Sequence, residues 1–139
     1  MIELIVLDVD GTLTDGKITY SNSGEETKSF DVADGLAIAV WTKKFGKKAA
    51  IITGRNSTIV EKRAKELNIT HLHQGIKNKQ EVLENILKQE GLSWHEVAAI
   101  GDDLNDYNML KRVGLSFTPA NGTHYLKEFV NVICTNKGG

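Results

Sequence analysis

The sequence has 139 residues, of which 40% are hydrophobic, enough for one sizeable core but hardly for two. Its 17 basic and 18 acidic residues leave a net charge of -1, which excludes a general attraction to nucleic acid or to an anionic membrane surface. No apolar run approaches the roughly 18 residues of a membrane span. The first residues predict a strand rather than a cleavable signal, so we expect a cytoplasmic protein with one domain, residues 1–139.

The first predicted element is a strand over residues 4–7, a continuous apolar run typical of a parallel strand covered on both faces. Asp8 and Asp10 follow it directly, within Asp8-Val9-Asp10-Gly11-Thr12. Ligands in such folds gather at the carboxyl ends of strands. A carboxylate there can attack phosphorus when a metal screens the negative charge, while the second carboxylate handles the proton. The alternative is that Asp8 and Asp10 belong to an ordinary turn after the strand, because Asp and Gly are common turn formers.

A hairpin flap is predicted next, at about residues 16–31. Two short strands, 17–20 and 26–30, flank a loop that has hairpin length and contains glycine. A helix is expected at about residues 34–45, with Asp34 as its N-cap. The short distance to the next strand leaves no room for a cap domain.

The second buried strand, residues 49–52, ends in Thr53-Gly54-Arg55. The Thr53 hydroxyl and the Gly54 amide are suited to phosphate oxygens. The Arg55 guanidinium is suited to a carboxylate, and its alternative is a surface salt bridge with Glu61 or another nearby acid.

Two amphipathic helices come next in the chain. Residues 57–67 carry an apolar stripe, with Asn68 as the C-terminal stop. Residues 79–90 also carry an apolar stripe, with Asn78 as the N-cap and Gly91 as the C-terminal stop. Lys79 therefore begins the second of these helices.

The strand at residues 97–100 is followed by Gly101-Asp102-Asp103, with Asp106 three residues further on. A helix over about 103–112 and strands near 115–117 and 130–134 complete the chain. Strands that alternate with helices predict an α/β fold. The expected architecture is a Rossmann-like three-layer sandwich with a central parallel sheet and a small β-hairpin flap.

Four of these segments together resemble the motifs of the haloacid dehalogenase superfamily of phosphohydrolases. They are Asp8-Val9-Asp10-Gly11-Thr12, Thr53, Lys79 and Gly101-Asp102-Asp103-Leu104-Asn105-Asp106. Within that superfamily, the chain is most similar to the capless sugar-acid phosphatases of the 3-deoxy-D-manno-octulosonate 8-phosphate type. Secondary matches carry this likeness: Asp15-Gly16, Phe30, Asp34-Gly35, residues 59–67 and Gln74-Gly75.

The resemblance implies a magnesium-dependent phosphomonoester hydrolase acting on a small phosphorylated sugar acid. Asp8 would form an aspartyl phosphate, and Asp10 would act first as acid and then as base. The phosphate would be held by Thr53, Gly54 and Lys79. The implied Mg²⁺ ligands are Asp8, the backbone carbonyl of Asp10, and Asp102, while Asp103 and Asp106 would orient metal-bound waters.

The resemblance also bears on the substrate and the assembly. In similar phosphatases acting on nine-carbon sugar acids the position of Arg55 can be acidic, so Arg55 favours the eight-carbon substrate. Capless relatives bury the hairpin in a homotetramer, which implies a tetramer here; the alternative is a solvated flap on a monomer. Relatives usually continue past a Gly-Gly pair into a Gly-Ala-x-Arg-Glu type tail, and the printed sequence ends at Gly138-Gly139.

Two other classes of function share part of this pattern. Response-regulator receivers also combine acidic residues, Thr and Lys with magnesium, but their acidic pair precedes the phospho-acceptor in the chain, whereas here Asp102-Asp103 comes late. A non-catalytic oligomerisation module, related to the domain fused to sugar-nucleotide synthetases, tends to lose motif residues that this chain retains.

Overall fold

Residues 1–139 are described by a computed structural model. The strands are β1 (Leu4–Leu7), β2 (Thr19–Tyr20), β3 (Glu26–Thr27), β4 (Lys48–Ile52), β5 (His71–His73), β6 (Val97–Ile100), β7 (Leu115–Thr118) and β8 (Val132–Ile133). The helices are α1 (Val32–Ala39), α2 (Thr58–Glu66), α3 (Lys79–Glu90), α4 (Tyr107–Arg112) and α5 (His124–Lys127). None of them combines the length and the apolar character that a membrane crossing requires.

Six strands form one parallel sheet in the order β5-β4-β1-β6-β7-β8, and β2 pairs with β3 in a separate antiparallel hairpin. The first strand of the chain thus lies between β4 and β6. This order brings the carboxyl ends of three chemically important strands side by side. The predicted α/β architecture with a parallel sheet and a hairpin flap is confirmed.

Hydrophobic residues fill both faces of the sheet, as expected of parallel strands covered on two sides. On one face the strands pack against α3, α4 and α5, with Leu83, Met109 and Leu126 fully buried. On the other face they pack against α1 and α2, through Ile38 and Val60. Neighbouring residues of β4 point alternately into the two clusters, because side chains of a strand alternate between faces.

Helix ends follow their local sequence signals. The Asn78 side chain accepts a hydrogen bond from the Glu81 amide at 3.2 Å, and α3 stops at Gly91, whose φ is 67°. Ser57 caps α2 by accepting from the Ile59 amide at 3.2 Å. Beyond α2, Asn68 takes a positive φ of 58°. These caps satisfy backbone groups that helix termini leave without partners.

The N-cap predicted for the first helix was wrong. The helix begins at Val32, and its cap is Asp31, whose side chain accepts from the Ala33 amide at 2.7 Å. Asp34 lies inside the first turn instead. Aspartate is a favourable N-cap residue at either position. The start of the helix is therefore set by the point at which the chain leaves the hairpin rather than by residue type.

The remaining differences concern short elements. The hairpin strands and the last strand are shorter than predicted, at two residues each, and the helix predicted over 103–112 starts with a tighter turn, Leu104–Asp106, before α4. The four-residue helix α5 was not predicted. Such short segments carry too little periodicity to be recognised.

Candidate active site

Three neighbouring strands deliver polar side chains to one edge of the sheet. Asp8 follows β1, Thr53 follows β4, and Asp102 stands two residues after the end of β6. Because β4, β1 and β6 are adjacent and parallel, these residues converge. The sequence predicted this convergence from the strand ends alone.

The loop after Asp8 is shaped by Gly11, which has a φ of 86°. A Cβ atom on Gly11 would overlap the carboxylate of Asp102, so glycine is needed both for the backbone conformation and for the close approach. The Thr14 hydroxyl oxygen accepts from the amides of Gly11 and Gly16, each at 3.2 Å. These bonds hold the loop against the ends of the strands.

Lys79 lies beneath Asp8 at the start of α3, and its side chain is fully buried. Its Nζ atom donates to Asp8 Oδ1 at 3.0 Å and to Asp106 Oδ1 at 2.6 Å. Burial lowers the pKa of the Lys79 ammonium, but the carboxylates of Asp8 and Asp106 outweigh burial and raise it overall. The structure therefore holds a positive charge next to the predicted nucleophile.

Asp106 is fully buried, and its second oxygen accepts from the amides of Asp102 at 3.1 Å and Asp103 at 3.3 Å. The exposed Asp103 carboxylate in turn accepts from the Leu104 amide at 2.7 Å. Asp103 and Asp106 cap the same short turn reciprocally. Asp106 thus connects the loop after β6 to Lys79 through hydrogen bonds.

Three carboxylates lie close together here, and two of them bond to Lys79. One oxygen from each of Asp8, Asp102 and Asp106 lies within 4.8 Å of the others. Burial raises the pKa of Asp8 to about 7 and that of Asp106 to about 6, and it also raises the pKa of Asp102. One ammonium among three carboxylates leaves excess negative charge, and hard oxygen donors in such a cluster fit a divalent cation such as Mg²⁺.

A polar cavity of about 500 Å³ opens above the cluster. Most of the predicted site residues line it: Asp8, Asp10, Thr53, Gly54, Arg55, Asp102 and Asp103. Lys79 and Asp106 lie deeper, under Asp8. The structure therefore brings every predicted site residue either to the cavity wall or directly behind it.

Lys28 is a site residue that the sequence reasoning missed. Its Nζ atom donates to Asp10 Oδ1 at 2.7 Å and lies 3.1 Å from Glu26 Oε1, with only 2% of the side chain exposed. Burial lowers the pKa of Lys28, but the two carboxylates raise it overall. The available signal was the alternation of side chains along the predicted strand 26–30, which places residues 26 and 28 on the same face.

Arg55 has an acidic neighbour, as the alternative of a surface salt bridge requires, but the partner is Glu26 rather than Glu61. Its Nη2 atom lies 3.5 Å from Glu26 Oε1 on the hairpin. The Arg55 side chain is 45% exposed and lines the cavity wall. A single long contact of this kind is weak and leaves Arg55 free to bind an anion.

The family comparisons agree with this geometry. A family model described as haloacid dehalogenase-like hydrolase matches residues 72–138. The 3-deoxy-D-manno-octulosonate 8-phosphate phosphatase KdsC of Escherichia coli K12 is 40% identical over 139 residues, covering 99% of this chain and 73% of the relative. The KdsC of Salmonella typhi is 43% identical with the same coverage.

Solved structures extend the likeness to three dimensions. The 3-deoxy-D-manno-octulosonate 8-phosphate phosphatase of Moraxella catarrhalis, in complex with magnesium, phosphate and KDO, superposes with a TM-score of 0.95 at 41% identity, covering 99% of this chain and 79% of that one. A probable YrbI family phosphatase of Pseudomonas syringae has a TM-score of 0.95 at 42% identity, covering 99% and 78%. The chain is therefore a phosphatase that belongs to the haloacid dehalogenase-like hydrolases, in the family of the 3-deoxy-D-manno-octulosonate 8-phosphate phosphatases.

Proposed function

We propose that this phosphatase hydrolyses 3-deoxy-D-manno-octulosonate 8-phosphate through an aspartyl-phosphate intermediate on Asp8, with Mg²⁺ as cofactor. The observation that carries the proposal is the position of Asp8, which lies against the Lys79 ammonium and faces the polar cavity. The Moraxella relative, whose structure holds magnesium, phosphate and KDO, supports the substrate class and the cofactor.

In the first half-reaction, a carboxylate oxygen of Asp8 bonds to phosphorus while the bond from phosphorus to the sugar oxygen breaks. Asp10, two residues further along the same loop, gives its proton to the departing sugar oxygen. Lys79 offsets negative charge at Asp8 throughout this step. The products are the free sugar acid and phosphorylated Asp8.

In the second half-reaction, a water oxygen bonds to phosphorus and the bond from phosphorus to the Asp8 oxygen breaks. Asp10, now a carboxylate, takes a proton from that water. Inorganic phosphate leaves, and Asp8 returns to its starting form. One residue at the cavity wall thus serves both steps in turn.

The proposed Mg²⁺ ligands are Asp8, the backbone carbonyl of Asp10, and Asp102. When bound, the ion supplies positive charge that neutralises the phosphoryl oxygens. Asp103, on the cavity wall, and Asp106, behind Asp8, are proposed to support this site. Asp106 already holds Lys79 and two backbone amides, so its oxygens are largely engaged.

Thr53, Gly54 and Arg55 are proposed to bind the two ends of the substrate. The Thr53 hydroxyl and the Gly54 amide donate to phosphate oxygens, while Arg55 binds the carboxylate of the sugar acid. The exposure of Arg55 and its single long contact with Glu26 are consistent with this role.

A homotetramer is proposed for the assembly. Apolar side chains on the hairpin and on α1 are exposed, and burying them between subunits would remove them from water: Ile18, Tyr20, Val32 and Leu36. Sedimentation velocity tests the assembly directly. A monomer at micromolar concentration would contradict it.

The test of the proposed function is phosphate release from a panel of sugar phosphates that includes the eight- and nine-carbon 3-deoxy-2-keto acids, with Mg²⁺ or with a chelator. We expect Mg²⁺-dependent turnover of the eight-carbon ester and none by Asp8→Asn. Glu61→Gln on α2 is the matched control, since it removes an exposed carboxylate outside the cavity. Preference for the nine-carbon ester would correct the substrate, and folded protein without turnover would favour the non-catalytic module.

A further inference from the structure

Lys28 connects the hairpin to the residue that is proposed to move protons. Its Nζ atom lies 2.7 Å from Asp10 Oδ1, a distance typical of a strong charge-assisted hydrogen bond. The Lys28 side chain is 2% exposed, whereas that of Asp10 is 23% exposed. The ammonium is therefore enclosed, and the carboxylate it holds remains accessible from the cavity.

The enclosure separates this contact from an ordinary surface ion pair. Exposed pairs contribute little because water screens them and both side chains remain mobile. An enclosed ammonium loses its hydration, and two carboxylates, Asp10 and Glu26, offset that loss here. The position of Lys28 is accordingly well defined.

The contact also distinguishes the two oxygens of Asp10. Lys28 donates to Oδ1, and no hydrogen bond to Oδ2 is found in the structure. An ammonium can only donate, so Asp10 Oδ1 is the acceptor in this contact. The arrangement leaves one oxygen anchored and the other able to accept a proton.

We propose that Lys28 is a positioning residue for Asp10 in the second half-reaction, in which Asp10 acts as the base. The inference rests on the proposed function. In that step the water oxygen bonds to phosphorus, the phosphorus–oxygen bond to Asp8 breaks with its electron pair returning to Asp8, and the water proton moves to Asp10. Lys28 holds the accepting carboxylate in place while this occurs.

The test uses p-nitrophenyl phosphate, whose leaving group departs readily without a proton. We expect Lys28→Met to keep a fast initial release of p-nitrophenol, stoichiometric with active sites, followed by turnover about 10- to 100-fold slower than wild type. Acid-quenched protein should carry phosphate by mass spectrometry. Lys28→Arg, which keeps the charge and the donors, should restore turnover to within about threefold of wild type.

Three further variants isolate the Asp10 contact. Asp10→Asn should accumulate the same phosphorylated protein, because it removes the base itself. Glu26→Gln keeps an oxygen acceptor for Lys28 and leaves the contact with Asp10 in place, so it should accumulate less phosphorylated protein than Lys28→Met. Lys88→Met, which removes an exposed lysine on α3, should behave as wild type.

Each alternative result has a distinct meaning. Slow turnover by Lys28→Met without phosphorylated protein overturns the inference. Accumulation in Glu26→Gln as large as in Lys28→Met also overturns it, because it would assign the effect to hairpin attachment. Accumulation in Asp10→Asn but not in Lys28→Met overturns the inference and leaves the proposed function standing. If Asp10→Asn accumulates no phosphorylated protein, or if wild type does not hydrolyse the ester, the proposed role of Asp10 as base and the inference are both wrong.

Discussion

Lys79 illustrates how one buried charge organises the site. Its ammonium bonds to two carboxylates, Asp8 and Asp106, that approach the sheet edge from different strands. An ion pair of this kind is costly to break, because the partner left behind is a buried charge without compensation. The lysine thus supports both the fold around Asp8 and the charge balance of the proposed reaction.

Replacing Lys79 with Met should lower the free energy of unfolding by about 3 kcal/mol at pH 8, since Asp8 and Asp106 would remain buried without their ammonium. Urea denaturation measures this change. Lys88→Met, on the exposed side of the same helix, should alter it by less than about 0.5 kcal/mol. Equal stability of the two variants would contradict the buried ion pair.

The raised carboxylate pKa values predict a pH dependence of stability. Burial raises the pKa of Asp8 in the folded protein to about 7 from its ordinary value of 3.8. Its contribution to stability is therefore fully present below about pH 4 and is lost as the pH rises through 7. Mg²⁺ binds the carboxylate form, so the rise in melting temperature on adding Mg²⁺ should grow from pH 5 to pH 8.

Thermal denaturation with Mg²⁺ or chelator at each pH measures this effect. Asp102→Asn, which removes a proposed ligand, should reduce the Mg²⁺-induced rise at pH 8. A rise that is the same at all pH values would show that these carboxylates do not bind the ion in their titrating range.

At the scale of elements, the loop after β1 joins the first strand to the loop after β6. Gly11 allows Asp102 to approach the backbone, and Thr14 secures the loop through two amides. The conformation of a few residues therefore sets the spacing between the Asp8 and Asp102 carboxylates, which lie far apart along the chain.

Gly11→Ala should abolish Mg²⁺ binding and activity, because the new methyl group would displace the Asp102 carboxylate. Gly24→Ala is a matched control, since Gly24 also has a φ of 86° but nothing lies within 4 Å of the position of its Cβ. Both should lose about 1–2 kcal/mol from backbone strain, measured by urea denaturation. If Gly24→Ala also lost activity, strain rather than displacement of Asp102 would be responsible.

At the scale of the whole molecule, two hydrophobic clusters share one sheet. Ala50 and Ile52 of β4 face the larger cluster, and Ile51 between them faces the smaller. Neither cluster can lose its packing without exposing the shared strands. We propose that residues 1–139 form a single folding unit.

Unfolding should accordingly be one cooperative transition. The chain has two tryptophans in different surroundings: Trp94 packs against the larger cluster, whereas the Trp41 indole donates to the Lys48 carbonyl at 2.7 Å. Fluorescence midpoints of Trp41→Phe and Trp94→Phe, each compared with circular dichroism of the same variant, should coincide within each variant. Separate midpoints would indicate two units.

The sequence by itself determined the features that depend on near neighbours. The strand over residues 4–7, the helix from Lys79 to Glu90 with its Asn78 cap, and the order of the motif residues were all predicted, because hydrophobic periodicity and capping act over a few residues. The convergence of Asp8, Thr53 and Asp102 followed from one further rule, that parallel strands end at a common edge.

Only the tertiary structure decided the contacts between distant segments. It selected Asp31 over Asp34 as the cap of α1, paired Asp106 with Lys79 and brought Lys28 to Asp10. The physical reason is that an ion pair depends on separation in space to within about an ångström, whereas local sequence specifies only residue type and spacing along the chain.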